Sequence, residues 1–145
     1  MKKIILKYLD MFDNCVYGLE KYAPAVLRIG MAMIMLWFSA QQFLNPQYWT
    51  AYVPQYIISL SGIDALYLVY MNASFELVFG LLLTFGILTR ISALLLSLHL
   101  FHIVIVVGYN ETGIRDLGLA IATLVVFMNG TDILCLWKQE TIQNV

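Results

Sequence analysis

Asn72–Arg90 reads NASFELVFGLLLTFGILTR, and the position of Glu76 within it decides how the chain is read. The stretch belongs to an apolar run from Ala65 to Leu88. As a helix at ~1.5 Å per residue that run is ~36 Å long, enough to cross a hydrocarbon core of ~30 Å. Glu76 falls near its midpoint, as far from water as the segment permits. A charge at that depth costs roughly 2.5–3.5 kcal/mol on insertion scales. A buried partner or a proton has to offset this cost, so the rest of the chain is searched for that partner.

The composition fits the same picture. Of 145 residues, 61% are hydrophobic and 12% charged, and the mean hydropathy is +0.82. Soluble domains hold about 45–50% apolar and about 25% charged residues. The sequence therefore predicts an integral membrane protein with a single domain over residues 1–145. A net charge of −1 and the lack of a basic patch exclude a nucleic-acid partner. The N-terminal MKKIILKYLDMFDN starts like a signal peptide, but Lys7, Asp10 and Asp13 interrupt its apolar part. Residues 1–20 are expected to form an amphipathic helix on the membrane surface. The two cysteines, Cys15 and Cys135, form no CxxC pair. Both fall at the same expected membrane face, so a disulfide is geometrically open, but inert thiols are the simpler reading.

Working outward from Glu76, four spans are expected at about 23–44, 65–88, 91–107 and 112–129. Pro24 suits a first helical turn, and Asn45-Pro46 closes span one. Thr89-Arg90 is read as the turn between spans two and three. Only 12 residues separate Asp116 from Asn129, too few to cross, so the fourth helix has to include Arg115 and Asp116. Lys2, Lys3, Lys7, Lys21, Arg90 and Lys138 fall on one side, which places both termini in the cytoplasm. The loop between spans one and two carries no Lys or Arg; Tyr48, Trp49, Tyr52 and Tyr56 give it the character of an interfacial belt. The expected fold class is all-α: an antiparallel four-helix bundle in the membrane, with Gly80, Gly86, Gly118 and Ala122 permitting close approach.

Each span carries one polar stripe at helical spacing. These are Arg28, Met35, Ser39 and Gln42; Asn72 and Glu76; Ser92, His99 and His102; and Asp116 with Thr123. The stripes are expected to face inward. His99 lies at the depth of Glu76 on the adjacent helix and is its first expected contact. Arg28, ~10 Å away in depth, or Arg115 would supply the compensating charge. Arg28, Gln42, Glu76, His99, His102, Arg115 and Asp116 make up the candidate polar pocket, with no residue assigned a catalytic role. The competing reading is structural glue, since buried ion pairs often add little net stability. Ionisable residues in all four spans favour a site or pathway. Two histidines on one helix face make a poor haem site, and no metal is expected. P-loop, GxSxG, HExxH and Rossmann patterns are absent.

Several of these residues occur in a familiar order. Arg28-Ile-Gly30 is followed by Phe38-Ser39-Ala-Gln-Gln42-Phe43-Leu-Asn-Pro46, then by Trp49 and Tyr52-Val53-Pro54. Glu76-x-x-x-Gly80-x-x-Leu83-x-x-Gly86-x-x-Thr89-Arg90 comes next, and Ile114-Arg115-Asp116-Leu117-Gly118-Leu119 opens span four. Over roughly Leu27–Phe127 the chain resembles the DoxX-like family of small four-span membrane proteins. It departs from the family pattern in having Ser39 and Gln42 where Gly and Lys are common, and in carrying His99 and His102. The resemblance implies two classes of function. Related proteins include the membrane subunit of a thiosulfate:quinone oxidoreductase and a member of redox-stress complexes; the wider superfamily is similar to cargo receptors and receptor-assembly chaperones.

The leading expectation is therefore a multi-pass protein of the plasma or inner membrane, a redox-complex subunit holding a quinone. Glu76 and His99 would relay protons, and Arg28 or Arg115 would hold a carbonyl oxygen or neutralise Glu76. No intrinsic cofactor or electron-supplying centre is legible, so a membrane or soluble redox partner would provide electrons. Homo-oligomerisation is left open. The alternatives are a non-enzymatic scaffold or chaperone-like protein docking through Gln47–Tyr56, and a small-solute or proton pathway.

Overall fold

The computed structural model describes residues 16–137 together with Lys7, Met11 and Asp13. Most of the amphipathic helix expected over 1–20, along with Cys15 and Lys138, lies outside the described residues. Glu20–Tyr22 forms one 3₁₀ turn leading into the first long helix. Six α-helices and no strand occur among the described residues: α1 Ala23–Leu44, α2 Pro46–Thr50, α3 Gln55–Ser61, α4 Ala65–Phe85, α5 Thr89–Val107 and α6 Glu111–Asn129.

The 3₁₀ turn with α1, and α4 and α5, give three helices long and apolar enough to cross a bilayer. Helix α6 has comparable length, 19 residues, but carries Glu111, Arg115 and Asp116 in its first two turns. Its end caps are well formed: the Asn110 side chain accepts from the Gly113 N–H at 3.0 Å.

Helices α1 and α4 pack as an antiparallel pair, as do α5 and α6. Ser39 Oγ donates to the Ala73 carbonyl at 2.8 Å across the first pair, and Ser97 Oγ to the Ala120 carbonyl at 3.0 Å across the second. Between apolar helices in lipid there is little hydrophobic drive, so association rests on close van der Waals contact and such hydrogen bonds. The buried residues fit that demand: Ala25, Ala32, Ala73, Ala93 and Ala120 are fully covered. Gly80 admits Leu36 and Met35, whose nearest atoms would stand 3.1 and 3.5 Å from an added Cβ. Larger side chains, Met35, Leu83, Leu96 and Val126, fill the centre.

The turn between α4 and α5 differs from the expectation. Helix α4 stops at Phe85, and Gly86 caps it in the left-handed region (φ 66°), its N–H reaching the Leu82 and Leu83 carbonyls. Leu88 is also left-handed (φ 51°), and α5 begins at Thr89. Thr89-Arg90 is thus helical, not the turn, and span two is three residues shorter than the hydropathy implied. The chain after α6 folds back onto this turn. Leu136 and Trp137 donate to the Phe85 and Gly86 carbonyls at 3.1 and 3.3 Å, and a Cβ on Gly86 would lie 2.6 Å from Cys135 Cα.

The segment expected to be an open aromatic loop instead contains two short helices, α2 and α3. Helix α2 packs on α1 and α4, with Pro46 buried. Pro54 separates the two short helices in extended backbone, and Gly62 ends α3 with φ 67°.

Candidate functional site

At the end of the molecule where α1 finishes and α4 begins, the long helices part and enclose a cavity of about 350 Å³. Helix α1 lends Trp37, Phe38 and Gln42 to its wall; α4 lends Leu68, Asn72 and Glu76; α5 lends His99, His102 and Ile103. Arg115 and Asp116 come from α6, while Trp49, Tyr52 and Ile57 come from the segment between α1 and α4. Six of the seven expected pocket residues meet here. Arg28 is the exception.

Glu76 is 3% exposed, and its carboxyl group is met by amides. Gln42 Nε2 donates to Glu76 Oε2 at 2.6 Å. Asn72 Nδ2 donates to Glu76 Oε1 at 3.0 Å and to Gln42 Oε1 at 2.7 Å. Spacing explains the grouping. Asn72 and Glu76 are one helical turn apart on α4, and the antiparallel register set by Ser39 and Ala73 brings Gln42 opposite them. His99 Nε2 approaches Glu76 Oε1 to 3.6 Å, beyond hydrogen-bond distance, and this buried nitrogen has no hydrogen-bond partner. The His99 ring rests on Phe75 with centroids 4.8 Å apart. His102, one turn further along, is exposed.

Near the same end, Arg115 Nε donates to Asp116 Oδ1 at 2.8 Å. The guanidinium lies over the Phe38 ring, 5.1 Å from its centroid. Asp116 is buried, whereas the Arg115 side chain is half exposed. A buried carboxylate is thereby neutralised by a cation that keeps one face toward the cavity and the outside.

Arg28 does something else. It is 1% exposed at the opposite end of the molecule, where its Nε donates to Asp132 Oδ2 at 2.7 Å and its Nη2 to Asp132 Oδ1 at 3.3 Å. Its Nη1 donates to the Leu83 and Thr84 carbonyls at 2.5 and 2.7 Å. The expectation that Arg28 balances Glu76 or holds a ligand oxygen is corrected by this geometry. Those two carbonyls lie in the last turn of α4, where unpaired backbone oxygens attract a cation. Burial tends to raise the Asp132 carboxyl, but the Arg28 hydrogen bond, the Leu134 N–H and the Arg28 charge outweigh it. The group sits below the ordinary carboxylate value.

Part of the aromatic segment expected as an interfacial belt also lines the cavity. Trp49 makes edge contact with Phe38, centroids 5.9 Å apart, and together with Tyr52 it walls the cavity. Tyr48 and Tyr56 remain exposed, as a belt would have them.

A helical membrane protein with a polar-floored cavity at one end is the class that this fold and site define. The DoxX family profile matches residues 23–109, more than half of the chain, and the chain belongs to that family. No curated protein and no solved structure matches it.

Proposed function

We propose that this protein is a membrane subunit of a redox complex that holds a quinone in the cavity beside Glu76. The cavity itself carries the reading: about 350 Å³, mostly apolar and aromatic in its walls, with a carboxylate–amide–imidazole group on one side. Apolar pockets with a few convergent polar groups are the usual form of a small-molecule site. A bound quinone would supply reversible electron and proton uptake at its carbonyl oxygens. Glu76 and His99 would hold protons within reach of such an oxygen. Arg115, stacked on Phe38, would keep positive charge at the same end, and Trp37, Phe38 and Trp49 would exclude water. A membrane or soluble partner would supply the electrons.

The membrane arrangement that goes with this reading has α6 as a fourth span, completing an antiparallel four-helix bundle. Support comes from Asp116, Ala120 and Thr123, which share one buried face of α6. Both termini are proposed to be cytoplasmic in a plasma or inner membrane, because Lys21 and Arg90 lie at one end and the α1–α4 connection has no Lys or Arg.

The test is mass spectrometry of lipid-soluble molecules co-purifying from native membranes, for wild type, Glu76→Gln and His99→Ala. Stoichiometric quinone in the wild type, lost in both variants, is the expected result. A partner protein retained without quinone would favour the scaffold alternative, for which the exposed Tyr48 and Tyr56 offer a docking edge.

A further inference from the structure

Resting on the reading of the cavity as a quinone site, we infer that Arg115 selects the class of quinone. The class is an acidic hydroxyquinone, bound as its anion, with the ionised hydroxyl and the neighbouring carbonyl oxygen held by the guanidinium.

Arg115 borders the cavity, and among the described residues it is the one Lys or Arg that does so. Its side chain is half exposed, so a ligand can reach it. A guanidinium carries five N–H donors in a planar fork. The Nε–H goes to Asp116 Oδ1 at 2.8 Å. The four on Nη1 and Nη2 have no hydrogen-bond partner among the described residues. Two contacts hold the fork in place: buried Asp116 at Nε, and the Phe38 ring, whose centroid is 5.1 Å from the guanidinium carbon. Thr112, three residues earlier on α6 and also in the wall, adds a hydroxyl on the same side of the helix.

Ligand chemistry follows from this donor set. A plain quinone is neutral and places its carbonyl oxygens on opposite edges of the ring. Loss of the hydroxyl proton from a hydroxyquinone puts an oxyanion next to a carbonyl oxygen on one edge. Two neighbouring acceptors match the two Nη groups of an arginine, as a carboxylate does, and the charge makes such hydrogen bonds about twice as strong as neutral ones. Asp116 lowers the net charge here, but it binds at Nε and leaves the Nη1–Nη2 edge open. Glu76, the other carboxyl group in the wall, is tied to Gln42 and Asn72.

The experiment compares two probes on the full-length protein in a neutral detergent, by titration calorimetry near neutral pH. One is lawsone, a hydroxynaphthoquinone that is ionised at that pH. The other is its methyl ether, which keeps the ring but has no charge. The wild type is expected to bind lawsone about tenfold or more tightly than the ether. Arg115→Gln should remove that preference by weakening lawsone and leaving the ether unchanged. Because this variant strands a buried carboxylate, the double variant Arg115→Gln with Asp116→Asn, which removes both charges, should show the same loss. A wild type that binds the ether as tightly as lawsone overturns the inference and leaves the quinone reading standing, as does a preference that survives in both variants. Binding of neither probe to the wild type overturns both.

Discussion

The two ends of this molecule bury charge in different ways. At one end, Arg28 and Asp132 form an ion pair 104 residues apart in sequence, extended to the Leu83 and Thr84 carbonyls and to the Leu134 N–H at 2.8 Å. The pair closes the ends of α1, α4 and α6 against one another. At the other end, Glu76 is met by neutral amides, His99 is left without a hydrogen-bond partner, and a cavity opens beside them. A fully partnered cluster without space around it is a structural fastener. One that borders a cavity is where we place the site. Buried charge alone does not separate the two cases; adjoining space does.

Substitutions can break this contrast, and the largest effect is expected at the fastened end. Arg28→Leu strands the Asp132 carboxylate and takes a donor from the Leu83 and Thr84 carbonyls; it should destabilise the protein by about 3–5 kcal/mol, read by thermal unfolding in detergent, while folded molecules keep the quinone proposed for the cavity. Gly86→Val places a β-branched residue at φ 66° and a Cβ against Cys135, at a cost of about 1–3 kcal/mol. It too should leave ligand content unchanged.

Acid provides a third test of the fastener. The folded Asp132 carboxyl lies below its ordinary value of 3.8, so the unfolded chain takes up a proton first as pH falls. The stabilisation by Asp132 is therefore present above about pH 4 and is lost as pH falls through the depressed folded value. Asp132→Asn should flatten that part of the stability-against-pH curve, with little change in quinone content. At the cavity end, the order of effects reverses. His99→Leu should alter stability by less than about 1 kcal/mol, since the 3.6 Å contact of its Nε2 with Glu76 is longer than a hydrogen bond, yet retention of the proposed quinone should fail. Tyr56→Phe, on an exposed residue outside the cavity, should stay within about 0.5 kcal/mol and keep the ligand.

Much of the cavity end was legible because helical periodicity and depth are properties of one chain segment at a time. Glu76 and His99 share a depth on adjacent helices, and Arg115 with Asp116 had to lie inside α6 for it to be long enough. Asn72 was visible on the stripe of Glu76, but its role depends on Gln42 and thus on the register of α1 against α4. The fastened end was misread for a related reason. Asp132 lies beyond the end of α6, outside any periodic segment, and only the fold-back of residues 131–137 brings it to Arg28. Gly86 did signal a helix end, yet hydropathy ran on through Leu88 and masked the turn. Trp49 and Tyr52 looked like a belt by composition; Trp49 packs against Phe38 and Tyr52 against Trp49, and both wall the cavity.

The most direct test of the contrast is photolabelling with an azido-quinone in native membranes, followed by peptide mapping. Label confined to α1 around Trp37–Gln42 and to α5 around His99–Ile103, and competed away by unlabelled quinone, is the predicted result. Competable label around Arg28 and Asp132 instead, or no competable label anywhere, would contradict the account.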